Sequence, residues 1–280
     1  MTTKTCLVTG ANSGMGLVTA EALARTGARV ILLCRSLDKA ERACETVARS
    51  SGNTDVVPLA ADLASQRQIR AAAERFKGQF DRLDVLVNNA GMLAADRTLT
   101  EDGIESTFAV NHLGPFLLTN LLREPLERSD AARVVTVASD VHRLARFDPD
   151  DLQLERGYGA YKAYCISKLA NIMFTFELAK RLASTRVTAN CLHPGLVGSS
   201  FGRDAKLWFR VLMMVSRPFL VSPEKGAETA IYLATSPEVA AVSGAYFKRC
   251  RVASPIPVAH DPAATARLWS ISEQLTGATA

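Results

Sequence analysis

The chain has 280 residues, 48% hydrophobic and 22% charged, a composition that suits a globular protein with a substantial core and excludes a disordered or fibrous one. Its net charge of +5 comes from Arg and Lys spread along the chain, without a dense cluster or aromatic interleaving, so an anionic cofactor explains it at least as well as nucleic acid. No signal-peptide pattern or long apolar run stands out, which argues against secretion and a membrane-spanning helix, and a cytoplasmic protein is expected.

In chain order, strands are predicted at 5–9, 29–34, 56–59, 84–87, 133–138, 187–192 and 245–247. Helices are predicted at 15–26, 37–50, 65–77, 103–123, 160–183, 224–235 and 261–276. Several strands are apolar throughout, as in Val30-Ile31-Leu32-Leu33, and such strands are buried on both faces. The alternation predicts one doubly wound α/β domain, Rossmann-type, spanning 1–280, with a parallel sheet and helices on both faces. Residues 200–223 break the rhythm with Trp208, Phe209, Met213, Met214 and Phe219 among basic residues. The Cys residues at 6, 34, 44, 165, 191 and 250 form no C-x-x-C pair and read as buried thiols. The four His are too dispersed for a metal site.

The first strand runs into Thr9-Gly10-Ala11-Asn12-Ser13-Gly14-Met15-Gly16, and a helix follows at once. Glycines let the backbone approach a pyrophosphate, and a helix N-terminus offers N–H groups and partial positive charge. Further on, Tyr164 and Lys168 stand at i and i+4, on one helix face. An ammonium beside a phenol favours the phenolate, so the Tyr164 pKa is expected to fall and the side chain to exchange a proton with an alcohol or carbonyl. Tyr158 and Lys162 have the same spacing, but Gly157 and Gly159 flank Tyr158, whereas Tyr164 opens an uninterrupted helical run.

The T-G-x-x-x-G-x-G turn resembles that of the short-chain dehydrogenases/reductases, and the family's other motifs follow in order. Asp62-Leu63 resembles the pair that contacts adenine, and Asn88-Asn89-Ala90-Gly91 the element that supports the sheet and lines the cofactor. Asn111, Ser139, Tyr164 and Lys168 match the catalytic tetrad, and Pro194-Gly195 the motif after the sixth strand. The resemblance implies a seven-stranded parallel sheet of order 3-2-1-4-5-6-7. It also implies a site in which Ser139 stabilises the substrate oxygen and Tyr164 moves the proton. Lys168 tunes Tyr164 and binds the nicotinamide ribose, and Asn111 holds a relay water. The cofactor set would be Gly10, Asn12, Ser13, Gly14, Met15, Gly16, Arg35, Ser36, Asp62, Leu63, Asn89, Ala90, Gly91, Tyr164, Lys168, Pro194, Gly195, Val197 and Ser199.

NAD enzymes of this fold place an acid after the second strand to bond the ribose hydroxyls. Cys34 occupies that position here and Arg35 follows, and a guanidinium suits a 2′-phosphate, so NADP(H) is expected over NAD(H). The long stretch between Ser139 and Tyr164, the run Tyr164 to Asn171 and the C-terminal Ser243 to Phe247 resemble the retinol-dehydrogenase-like subgroup. That implies a lipophilic small-molecule substrate: a ketone, aldehyde or retinoid. Residues near 197–223 form the expected substrate lid. The 204–220 part is a candidate for peripheral membrane contact, since Lys206, Arg210 and Arg217 flank its apolar residues. Reduction of an activated C=C bond and a non-catalytic NADP(H)-binding regulator stand as alternatives, and monomer and homodimer are both open.

Overall fold

The computed structural model describes residues 3–195 and 221–278. One sheet organises them. Strands β1 (Thr5–Thr9), β2 (Arg29–Cys34), β3 (Val56–Ala60), β4 (Val85–Asn88), β5 (Arg133–Val137), β6 (Thr188–His193) and β7 (Ala245–Lys248) lie in the order β3-β2-β1-β4-β5-β6-β7, all parallel. An eighth strand, β8 (Arg251–Ala253), extends the expected seven and pairs antiparallel with β7. The intervening turn, Arg249-Cys250, has φ of 52° and 58°. Such a two-residue turn normally carries Gly or Asn, so the sequence holds no signal for this hairpin.

Alternate residues of each strand enter different cores. Leu7, Ile31, Leu86 and Val134 pack with Phe76 of α3 (Gln66–Gln79), Phe116 of α5 (Gly114–Leu121), Phe174 of α7 (Ala160–Arg181) and Trp269 of α9 (Pro262–Thr276). Val8, Leu32, Val87 and Leu192 pack with Leu23 of α1 (Gly14–Arg25), Val47 of α2 (Leu37–Ser51) and Leu233 of α8 (Pro223–Thr235) on the opposite face. This double burial is why the strand interiors, such as Cys6-Leu7-Val8 and Val30-Ile31-Leu32-Leu33, are apolar on both faces. Because the strands are parallel, their C-terminal residues Thr9, Asn88, Val137 and His193 all reach one edge of the sheet, where α/β folds bind ligands.

The helix expected over 103–123 is interrupted. A short α4 (Ser106–Phe108) passes into a π-turn over Ala109–Leu113, closed by Gly114 N–H donating to the Ala109 carbonyl, before α5 and a short α6 (Arg123–Glu127). Pro115 has no N–H for the Asn111 carbonyl, so the regular ladder cannot run through Asn111. Gly114 is also wedged against Leu63, whose Cβ and carbonyl oxygen would lie 2.9 Å from an added Cβ. Among the described residues no helix is long and apolar enough to cross a membrane.

Candidate active site

The glycine turn is built for close approach. Gly10 and Gly14 have φ of 64° and 55°, in the left-handed region. A Cβ on Gly16 would fall 2.4 Å from both Asn89 Nδ2 and the Gly10 carbonyl oxygen, so this position admits only glycine. Asn12 and Ser13 are exposed, and Ser13 caps α1 without a side-chain hydrogen bond. The first N–H groups of α1, those of Gly14, Met15 and Gly16, therefore begin at the turn without a cap from Ser13, as an anion site requires. Asn89 braces the turn: its N–H donates to Thr9 Oγ1 (3.0 Å) and its Nδ2 to the Thr9 carbonyl (2.9 Å). Ala90 N–H also donates to Thr9 Oγ1, at 3.0 Å. Thr9, which opens the T-G-x-x-x-G-x-G turn, is thus the hub joining the two cofactor-side turns.

Cys34 ends β2 fully buried, and Arg35 and Ser36 follow it, exposed, at the start of α2. Burial pushes the Cys34 thiol up to about 11, against a backbone hydrogen bond from Ala11 and the positive charge of Lys39. Lys39, whose charge reaches Cys34, is a cation near the end of β2 that sequence reasoning did not single out. Asp62 Oδ1 accepts from Ala64 N–H (2.9 Å), which shapes the turn that carries Leu63 against Gly114.

Asn111 sits in the π-turn, wholly buried. Its Oδ1 accepts from Met92 N–H (2.7 Å), and its Nδ2 donates to the Met92 carbonyl (2.9 Å) and to Ser167 Oγ (3.0 Å). It therefore ties the Asn89–Gly91 turn to α7 one residue before Lys168. Lys168 Nζ donates to the Val137 carbonyl (2.9 Å) and lies 5.6 Å from the centre of the Tyr164 ring. A Cβ on Gly91 would stand 3.5 Å from both Lys168 Nζ and Asn111 Oδ1, so the missing side chain keeps this approach open. Ser139, just beyond β5, is buried, and its Oγ accepts from Val141 N–H (3.4 Å), leaving its own proton to donate.

Burial lowers the Lys168 ammonium to about 8 and raises the Tyr164 phenol above its ordinary value. The expected fall of the Tyr164 pKa is thus reversed in the protein alone. Burial of the ring raises it first, and Cys165 and Tyr161 act in the same sense. Tyr158 is structural: its OH donates to the Ala94 carbonyl (2.9 Å) and to Glu105 Oε1 (3.4 Å), and burial pushes its phenol up to about 12. Glu105 also caps α4, accepting from Thr107 and Phe108 N–H, so Tyr158 locks the Ser139–Tyr164 insertion onto the loop after β4.

Pro194-Gly195 follows β6 at the same edge, with Gly195 at φ 91°. Val197, Ser199 and the 197–220 part of the expected lid lie outside the described residues. The glycines that exclude a Cβ, the uncapped helix start, Arg35 after β2 and Lys168 on α7 fit a nicotinamide dinucleotide along this edge.

Residues 4–208 match the short chain dehydrogenase family model, and the chain belongs to the short-chain dehydrogenase/reductase family. It is a nicotinamide-dependent oxidoreductase of the retinol-dehydrogenase-like subgroup. It is 44% identical to human retinol dehydrogenase 14 and 42% identical to mouse retinol dehydrogenase 11, in each case over 98% of this chain and 86% of the relative. Among solved structures, an uncharacterised protein from Mycobacterium paratuberculosis superposes with a TM-score of 0.79 at 35% identity, covering 98% of this chain and 94% of that one. The Pseudomonas aeruginosa RhlG/NADP complex superposes with a TM-score of 0.69 at 28% identity, covering 87% and 93%.

Proposed function

We propose that this protein is an NADP(H)-dependent oxidoreductase that interconverts a carbonyl and an alcohol on a lipophilic small molecule such as a ketone, aldehyde or retinoid. The observation that carries the proposal is the convergence of Ser139, Tyr164 and Lys168 on the sheet edge that also bears the glycine turn. Gly10 to Gly16, Asp62, Leu63, Asn89 to Gly91 and Lys168 would hold the dinucleotide, with Arg35, Ser36 and Lys39 at its 2′-phosphate. The bound nicotinamide supplies or accepts the hydride.

Ser139 Oγ–H donates to the substrate oxygen and stabilises the negative charge that develops there. Tyr164 gives its phenolic proton to that oxygen in reduction and removes it in oxidation. Its raised pKa keeps the phenol protonated in the protein alone, the state that reduction requires. Lys168, buried but still largely charged at pH 7, favours the phenolate left behind. Asn111 holds the Met92 segment and α7 in register, so that Lys168 faces Gly91. Apolar Met and aromatic residues of the 200–223 segment suit a lipophilic substrate.

The test is NADPH oxidation across a panel of aldehydes, ketones, retinoids and enones, with Tyr164→Phe beside the wild type. Turnover of carbonyls that falls by at least about 100-fold in Tyr164→Phe, with NADPH still bound, is expected. Turnover of enones alone, or full activity in Tyr164→Phe, would refute the proposal.

A further inference from the structure

The peptide group that joins Ser139 to Asp140 is held at both ends by histidine rings from two different elements. Its carbonyl, that of Ser139, lies 2.7 Å from His142 Nδ1. Its N–H, that of Asp140, donates to His193 Nδ1 at 3.1 Å. The partners fix both tautomers. Ile256 N–H donates to His142 Nε2 (3.3 Å), so Nε2 is bare and the His142 proton sits on Nδ1, directed at the Ser139 carbonyl. His193 Nδ1 accepts, so its proton sits on Nε2, which is 3.7 Å from Asp140 Oδ2. The two rings are therefore neutral and opposite in tautomer. His142 is wholly buried and His193 nearly so.

The rest of the cluster keeps Asp140 from turning. Tyr246 OH donates to Asp140 Oδ1 (2.8 Å), and Lys248 Nζ pairs with Asp140 Oδ2. Tyr246 also meets the His142 ring edge-on, with centroids 5.3 Å apart. His193 ends β6 and is bonded covalently to Pro194, so the same imidazole links the Ser139 loop to the Pro194-Gly195 turn.

We propose that His142 and His193 are positioning residues, a clamp of two neutral imidazoles that fixes the Ser139–Asp140 peptide and with it the aim of the Ser139 hydroxyl. The proposal rests on the assignment of Ser139 as the donor to the substrate oxygen. Neither ring touches the reacting atoms. A protonated His193 would set N–H against N–H at Asp140, and a protonated His142 would do the same at Ile256. Burial first, then Lys248, His142 and Arg249, oppose a charge on His193, whereas Asp140 favours one, and the imidazole is held down at about 4. His142 is likewise lowered by burial first, with Arg143 acting in the same sense and the Ser139 carbonyl and Asp140 acting against it.

Asn and Gln distinguish this clamp from simple packing. The Asn side-chain oxygen stands where Nδ1 does, whereas Gln carries its amide to the place of Nε2. His193→Asn is expected to keep kcat within about threefold of wild type, and His193→Gln and His193→Leu to lose about 10-fold or more, with KM for the ketone little changed in all three. If only packing mattered, the larger Gln would equal or exceed Asn, and that order would overturn the clamp. Ser139→Ala measured alongside separates the two claims. Retained turnover there would defeat the catalytic assignment of Ser139 and the clamp's purpose with it. An inactive Ser139→Ala with the packing order at 193 would defeat the clamp alone. Histidine-selective 15N NMR of the wild-type protein needs no variant. One Nδ1–H and one Nε2–H tautomer are expected at positions 142 and 193, both neutral at pH 7.5. A protonated ring or the same tautomer at both positions would also overturn the clamp.

Discussion

Acid should destabilise this protein well above the range in which carboxylates titrate, because the fold holds buried imidazoles neutral and unfolding exposes them to protonation. His112 is wholly buried among Phe108, Phe116 and Phe174, with ring centroids 5.0, 6.2 and 6.1 Å away, and burial lowers it to about 3. His193 is lowered to about 4, again chiefly by burial. Both lie below the unfolded value of about 6.5, so the unfolded chain binds protons that the folded chain refuses. Their contribution is fully present above about pH 6.5 and is lost as pH falls toward the folded values. At pH 5 each imidazole stands about 1.5 units below its unfolded pKa, which costs about 2 kcal/mol each, or about 4 kcal/mol together. That is a large share of an ordinary domain's 5–15 kcal/mol, roughly stated. Asp140 is held below its ordinary value, mainly by Lys248 and Tyr246 acting against burial, and so adds its loss at lower pH. Urea unfolding of the cofactor-free protein at pH 7.5 and pH 5 measures the difference directly. His112→Gln should remove about 2 kcal/mol of the pH dependence, whatever it does to stability at pH 7.5. Identical pH dependence in the wild type and His112→Gln would refute the placement of a neutral, desolvated imidazole at this position.

Three further outcomes follow from the geometry. Gly16→Ala must displace Asn89 or the Gly10 carbonyl; a loss of about 1–3 kcal/mol in urea unfolding is expected. NADPH binding, followed by cofactor fluorescence, should weaken at least about tenfold in the same variant. The double change Cys34→Asp with Arg35→Ala supplies a ribose acid and removes a phosphate partner, so the NADP/NAD ratio of kcat/KM should fall at least about tenfold; an unchanged ratio would remove the assignment. Tyr158→Phe loses the bonds to Ala94 and Glu105 and should cost about 1 kcal/mol in thermal unfolding while leaving kcat within about twofold.

The local pattern carries much of this architecture. Strands β1 and β2 have apolar interiors, Cys6-Leu7-Val8 and Val30-Ile31-Leu32-Leu33, and stop at turn residues, so their ends are predictable from sequence, and the order of motifs places Gly10, Asn111, Ser139, Tyr164 and Lys168 in one family. Sequence favours Tyr164 over Tyr158 because glycines interrupt the helix around Tyr158, whereas the part-buried bonds of Tyr158 to Ala94 and Glu105 are visible only in the fold. What only the tertiary structure decided depends on contacts between residues far apart in the chain. The π-turn at Asn111 needs Leu63 pressed against Gly114 as well as Pro115. Strand β8 needs a positive-φ turn made from Arg and Cys. The direction of the Tyr164 shift depends on how deeply the ring is buried. The tautomers of His142 and His193 depend on Ile256 and Asp140, partners that no local window contains. Periodicity and spacing report what a residue does to its own helix or strand, whereas burial and hydrogen-bond partners are set by the whole fold, and they determine the protonation states of Tyr164, Lys168 and the histidines around Ser139.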